Sequence, residues 1–314
     1  MCNYGIGSPQ LPTAEEILAQ LSGVSDSLMR KVRVLLLSTN GSVLSQNNVE
    51  ESVLVEILKF AQNSPAETII IETHIDTLSE KRLKMLRSHI PQKRIILEIG
   101  LESADPFVQK NCFLKEIPMG HIQRMLDIAP EYRIDFQFNV ILGAPFLTSK
   151  EQIDDSEATI RWIIAKGAMT ALFPMNIKPY TLLHFALDNR MYKPISHWAV
   201  PYLLNRFTED ELGNIDLAWY GNRQITYDDP TAITVFPSDC EACRSILQEF
   251  YHTYVSTTDG IRRRYAVKKV LRDARCDCIN AEILNYNPPT TERGERVLRA
   301  HELLIRALEK DALL

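Results

Sequence analysis

The strongest constraint on the fold is a rhythm: between positions 31 and 179, short apolar runs take turns with amphipathic stretches of helical length. Residues 32–37, 68–71, 94–98, 134–142 and 170–177 read as strands, each rich in Val, Ile, Leu or Phe. Residues 49–61, 78–88, 106–111, 119–128 and 150–165 read as the helices between and around them. Strands this continuously apolar, separated by helices, require a parallel sheet covered on both faces. Right-handed crossovers then turn such a sheet into a barrel or a doubly wound layer. The expected class is α/β.

After Tyr180 the rhythm breaks. Residues 205–237 are rich in turn formers and single aromatics and read as irregular structure, and residues 238–280 carry four of the six cysteines. A closing helix is expected over 291–311, where Val297, Leu298, Leu303, Leu304 and Leu308 recur at roughly helical spacing. The expected division is a barrel over 1–185 and a mostly helical, cysteine-containing extension over 186–314.

Composition narrows the function classes. A 314-residue chain with 45% hydrophobic and 24% charged residues can build an ordinary globular core without disulfide staples. Its net charge of −5 argues against a protein that coats nucleic acid along its whole surface, while leaving room for a local basic patch. No apolar run approaches the ~20 residues that span a bilayer, and no basic-then-apolar leader opens the chain. A reducing, cytoplasmic setting with no membrane partner is the expectation.

In a parallel barrel, chemistry gathers where strands end, and five strand ends here are polar. The first runs into Ser38-Thr39-Asn40-Gly41-Ser42, the second into Glu72-Thr73-His74, and the third into Glu98-Ile99-Gly100-Leu101-Glu102. The fourth leads through Asn139 to Gly143-Ala144-Pro145, and the fifth ends in Asn176-Ile177-Lys178-Pro179-Tyr180. Singly, Gly100 and Gly143 need only relieve tight turns, and Glu98 or Glu102 need only cap a helix. Five polar ends on one rim are a stronger sign of a binding site. Lys178 and Tyr180 are the candidates for contact with substrate.

Cys240, Cys243, Cys276 and Cys278 form a second candidate site. A Cys-x2-Cys turn sets two sulfurs on one side of a loop, as tetrahedral zinc or an iron–sulfur cluster needs; four reduced thiols are the plain alternative. Cys112, alone in an expected helix, reads as core. Between the pairs, Arg262-Arg263-Arg264-Tyr265-Ala266-Val267-Lys268-Lys269 reads as a helix with a cationic face. Ile261, Tyr265, Val267 and Leu271 are its expected buried positions. Such a face is either solvated or a phosphate-binding surface.

Five segments in order carry a family resemblance: Cys2-Asn3-Tyr4-Gly5, Thr39-Asn40-Gly41-Ser42, Glu98-Ile99-Gly100-Leu101-Glu102-Ser103, Asn139 to Thr148, and Asn176 to Pro179. Over roughly residues 2–185 the chain resembles a radical S-adenosylmethionine (SAM) enzyme with a partial (β/α)6 TIM-like barrel. It is most similar to the branch containing the Elongator acetyltransferase subunit and the archaeosine-biosynthesis enzymes.

The resemblance implies SAM and a [4Fe-4S] cluster as cofactors. Cys2 matches the last cysteine of a Cys-x3-Cys-x2-Cys cluster loop, and Tyr4 follows it. Thr39, Asn40, Gly41 and Ser42 match the strand end that meets the SAM amino group. Glu72 and His74 match a Glu-x-Arg, with histidine in the arginine's place. Gly100 and Glu102 match the segment with a carboxylate in the SAM pocket; Asn139 to Gly143 match the segment near ribose and adenine. The other two loop cysteines and the first barrel strand are expected ahead of Met1, and without that strand residues 32–37 would leave an apolar sheet edge open.

The implied activity is reductive cleavage of SAM to a 5′-deoxyadenosyl radical, which takes a hydrogen atom from a small polar or natural-product substrate. The electron donor would be a flavodoxin or ferredoxin. The alternatives are the same chemistry on tRNA, and a cluster-less barrel that binds a nucleotide or partner without catalysis. In the radical SAM context the late cysteines could hold zinc or a second cluster.

Overall fold

A computed structural model describes residues 13–23, 31–39, 41–178, 180–218, 241–274 and 290–311. Six strands form one sheet in chain order, β1 to β6: Val34–Leu37, Thr68–Thr73, Arg94–Glu102, Ile134–Leu142, Met169–Pro174 and Ile215–Leu217. The pairings of β1 with β2, β2 with β3 and β5 with β6 are parallel. This is the α/β sheet expected from the apolar rhythm, in the partial (β/α)6 barrel topology that the family resemblance implies.

The helices in chain order are α1 (Ala14–Ser22), α2 (Glu51–Asn63), α3 (Glu80–His89), α4 (Pro106–Asn111), α5 (Met119–Ile128) and α6 (Ser149–Ala165). They continue with α7 (Leu182–Asp188), α8 (Ala199–Leu204), α9 (Glu209–Leu212), α10 (Glu241–Val255), α11 (Gly260–Asp273) and α12 (Arg293–Asp311). Local chemistry fixes several starts. Thr148 and Glu151 form a capping box at α6, Ser79 caps α3 through the Arg82 amide, and Asp105 caps α4 ahead of Pro106.

The chain packs as two compact units. One comprises residues 4–100 and 117–138; the other comprises 1–3, 101–116 and 139–314. In the first, β1 is the terminal strand of the sheet order, and its Val34 and Leu36 are each 52% exposed. Ile69, Ile71 and Thr73 of β2 are buried, and the β2–β3 register sets Glu72 beside Glu98. Arg87 of α3 ties this unit together by donating to the carbonyls of Ile90, Lys93 and Tyr132.

In the second unit, Val297 and Leu304 of α12 lie in one buried cluster with Val108, Cys112, Leu147 and Met175. Arg293 reaches Asp105 at 2.9 Å and stacks on the Phe107 ring, while Arg296 donates to Glu151. The closing helix is therefore packed through Val297 and Leu304, whereas Leu298, Leu303 and Leu308, expected on the same face, are exposed.

Four expectations need correction. Strand β3 does not stop at Glu98 but runs to Glu102, so Gly100 sits inside a strand rather than in a turn. Strand β5 ends at Pro174, and Ile177 makes only an isolated bridge. The stretch expected to be irregular contains α9 and β6, whose three-residue core is too short to show a period. In α11, Ile261 and Tyr265 are exposed (66% and 63%), whereas Arg263 is 2% exposed. The Arg263 guanidinium donates to the carbonyls of Thr257, Leu212 and Ile215 and to Asp216, so it serves as the polar pin between α11 and β6.

Candidate functional site

The candidate residues fall into a set on each unit. In the unit of residues 4–100 and 117–138, the strand ends of β1 and β2 interlock through hydroxyls. Ser42 is 2% exposed and Thr73 is 1% exposed, and their hydroxyls share a hydrogen bond. Thr77 joins both, at 3.1 Å from Ser42 and 2.8 Å from Thr73. The His74 amide donates to Ser42 Oγ at 3.3 Å, and the Ser38 hydroxyl donates to the Glu72 carboxylate. The Gly41 amide donates to Thr39 Oγ1 at 3.2 Å.

Ser42, Thr73, Thr77 and the His74 amide are thus one hydrogen-bonded group, beside which the Ser38–Glu72 and Gly41–Thr39 contacts are separate pairs, whereas the His74 side chain is exposed. Asn40 lies outside the described residues. Thr73 and Thr77, the hydroxyls that link this group, carried no motif signal in the sequence.

In the other unit, Glu102 closes β3 with φ +61°, a left-handed conformation that non-glycine residues adopt at a cost. Its carboxylate accepts from Lys115 at 2.7 Å and is only 16% exposed. The next residue, Ser103, is fully buried and donates to Asp155 Oδ1 at 2.7 Å, and its carbonyl accepts from Gln109. The Ala104 amide donates to Thr159 Oγ1 at 2.9 Å. The turn after β3 is therefore held on α6 by side chains 52 and 55 residues away.

Burial raises the Asp155 carboxyl to about 6; nearby Asp105 adds to this, and the Ser103 hydrogen bond and Arg293 oppose it. Its Oδ2 is buried with no partner among the described residues.

On β4, Asn139 Oδ1 is likewise buried with no hydrogen-bond partner among the described residues. A buried acceptor left open is uncommon and is the kind of atom a ligand's hydroxyl or amine would complete. Gly143 follows at φ +122°, where a Cβ would come within 2.7 Å of the Met175 Cβ, so only glycine fits. Its carbonyl accepts from the buried Tyr192 hydroxyl at 3.1 Å.

Lys178 is half-buried and Tyr180 is 77% exposed at φ +60°. For a metal, the described residues contain no group of three His, Cys, Asp or Glu able to hold one. Cys2, Tyr4, Cys240, Cys276 and Cys278 lie outside them. Cys243 is buried in α10; Cys112 is a core thiol that burial pushes up to about 12.

No family model matches the chain. Over 212 residues it is 24% identical to an uncharacterised protein of Methanocaldococcus jannaschii, covering 65% of this chain and 58% of that protein. Over 214 residues it is 22% identical to archaeosine synthase subunit beta of Thermococcus kodakarensis, covering 65% of this chain and 64% of that one. The chain thus spans less than two thirds of the length of either curated relative.

Among solved structures it is similar to Elp3 of the archaeon Methanocaldococcus infernus with residues 1–46 deleted. The TM-score is 0.44 at 16% identity, over 68% of this chain and 48% of that one. An archaeosine synthase subunit thus stands among the relatives, as the resemblance read from the sequence anticipates.

Proposed function

We propose that this chain is a radical SAM-type enzyme acting on a small polar or natural-product substrate, with residues 1–185 as the catalytic part and 186–314 as an extension. The observation that carries the reading is the end of β3. There Glu-Ile-Gly-Leu-Glu-Ser places Glu102 in a left-handed turn, half-buried and paired with Lys115, at the position the resemblance gives to a SAM-pocket carboxylate. Similarity to an archaeosine synthase subunit over about two thirds of the chain supports the same reading.

In this reading a cluster-bound SAM supplies, on one-electron reduction, a radical able to remove a hydrogen atom from substrate. The chain's own residues hold and orient. The backbone and hydroxyls of Thr39, Gly41 and Ser42 meet the amino end, Glu102 neutralises positive charge, and Asn139 accepts from the ribose or adenine. Lys178 and Tyr180 face substrate, and Cys2 belongs to the cluster loop. The four late cysteines hold zinc or a second cluster, a flavodoxin or ferredoxin supplies the electron, and the compartment is the cytoplasm.

A second reading, the same chemistry on tRNA, is favoured by α11. Arg262, Lys268 and Arg272 are exposed beside the exposed ring of Tyr265, a cationic and aromatic surface of the kind that meets phosphates and bases. Anaerobic reconstitution of the gene product with iron and sulfide tests the main reading. Visible cluster absorbance is expected, and its absence would leave only a nucleotide- or partner-binding barrel. A tRNA gel shift that weakens with salt would favour the second reading, and no shift would discard it.

A further inference from the structure

We propose that the unit of residues 4–100 and 117–138 contains a second ligand site, a cleft for the phosphate group of a small phosphorylated molecule. It adjoins the candidate SAM group, with Thr77 lining the cleft and bonding Ser42, but is argued from different side chains. The cleft has a volume of about 420 Å³ and lies between the loop after β1, the first residue of α2 and the first turns of α3. That volume suits a molecule the size of a sugar phosphate or nucleotide.

The wall of the cleft is built around Arg82. Its Nη1 donates to both oxygens of Glu51, at 2.8 and 2.7 Å, and lies 3.4 Å from Met85 Sδ. The side chain is only 13% exposed. Every acceptor the protein gives this guanidinium is reached through Nη1, which leaves the Nε and Nη2 edge without a protein acceptor among the described residues. A guanidinium fixed on one side and open on the other presents a preset pair of donors, the geometry that suits an oxyanion.

Lys81 lines the same cleft, is exposed, makes no hydrogen bond or close ion pair among the described residues, and acts on Glu51 only at longer range through its charge. Glu51 is already committed, with Arg82 donating to both oxygens and Gln46 Nε2 donating at 3.2 Å. These bonds hold its carboxyl below the usual carboxylate range. Two cations against one satisfied carboxylate leave the cleft with a net positive charge.

Ser45 and Ser79 line it as well, and their hydroxyls would give it more donors than the two oxygens of a carboxylate would use. A phosphate, with three terminal oxygens and a double charge, matches that surplus.

The test is isothermal titration of the full chain with ribose 5-phosphate at low ionic strength, comparing substitutions of opposite sign. One saturable site is expected. Lys81→Gln should weaken it about tenfold, the scale of a lost charge-assisted bond. Glu51→Gln should tighten it severalfold, because the Arg82 charge is then unopposed. Lys84→Gln, an exposed change on α3 outside the cleft, should leave affinity unchanged.

Malate serves as the carboxylate probe and should bind at least several times more weakly. The proposal is overturned if ribose 5-phosphate does not saturate at millimolar concentration. It is equally overturned if Lys84→Gln weakens binding as much as Lys81→Gln, if Glu51→Gln weakens it, or if malate binds as tightly.

Discussion

Ser103 donates its hydroxyl to Asp155 Oδ1 at 2.7 Å, and with the Ala104 amide's bond to Thr159 this joins the turn after β3 to the middle of α6. Both side chains are buried, and burial holds the Asp155 carboxyl well above its ordinary range, at about 6. Glu102, the carboxylate central to the functional reading, is the residue just before Ser103.

That raised value has a thermodynamic sign. Between about pH 4 and pH 6 the folded protein holds a proton on Asp155 that the unfolded chain has lost. The stabilisation is therefore full below about pH 4 and is lost as pH rises through about 6. Asp155→Asn keeps an acceptor for Ser103 and removes the titration. Denaturant unfolding should show the difference between the variant and the parent growing by roughly 2–3 kcal/mol, in the variant's favour, from pH 4 to pH 7. Parallel pH profiles would show that Asp155 does not titrate in this range.

The left-handed backbone of Glu102 separates two effects. Glu102→Ala and Glu102→Gly both delete the carboxylate that Lys115 holds, but only glycine relieves the φ of +61°. The glycine variant should be the more stable of the two by about 1 kcal/mol. SAM affinity, read by equilibrium dialysis, should fall in both to the same extent. Equal stabilities would mean the backbone strain is absent.

Arg263 is the buried charge on which the α11–β6 contact depends. Replacing it with Met removes the guanidinium from the Thr257 carbonyl and from half-exposed Asp216 and leaves the Leu212 and Ile215 carbonyls to the Tyr254 hydroxyl alone, and should cost about 1–3 kcal/mol in unfolding free energy. Arg263→Lys should recover little, since an ammonium cannot span acceptors arranged around a fork. Full recovery by lysine would contradict this account.

Cys112 should be chemically silent. With its thiol pushed up to about 12 by burial, almost no thiolate exists at neutral pH. Iodoacetamide at pH 8 should leave Cys112 unmodified in the native protein and label it after denaturation, as read by peptide mass spectrometry. Rapid native labelling would place that thiol in an open environment.

The parallel sheet was legible because β2, β3 and β4 are long apolar runs, and α12 because its apolar spacing is helical. Gly143 was legible as a special backbone position, although its close neighbour Met175 was not. Other features hide from a linear reading. Arg263 sits in a run of cations whose period says solvated face, and it is the carbonyls of residues 212, 215 and 257 with Asp216 that turn it inward. Ser103 and Asp155 meet across 52 positions, a contact no local pattern encodes. The free edge of Arg82 becomes visible only when Glu51, 31 residues earlier, is seen occupying the other side.

The most direct measurement of the central claim is 5′-deoxyadenosine release when the reconstituted, chemically reduced gene product is incubated anaerobically with SAM. The account predicts product that depends on reductant and falls sharply with Glu102→Ala. Reconstituted protein that binds SAM yet releases no 5′-deoxyadenosine would contradict it.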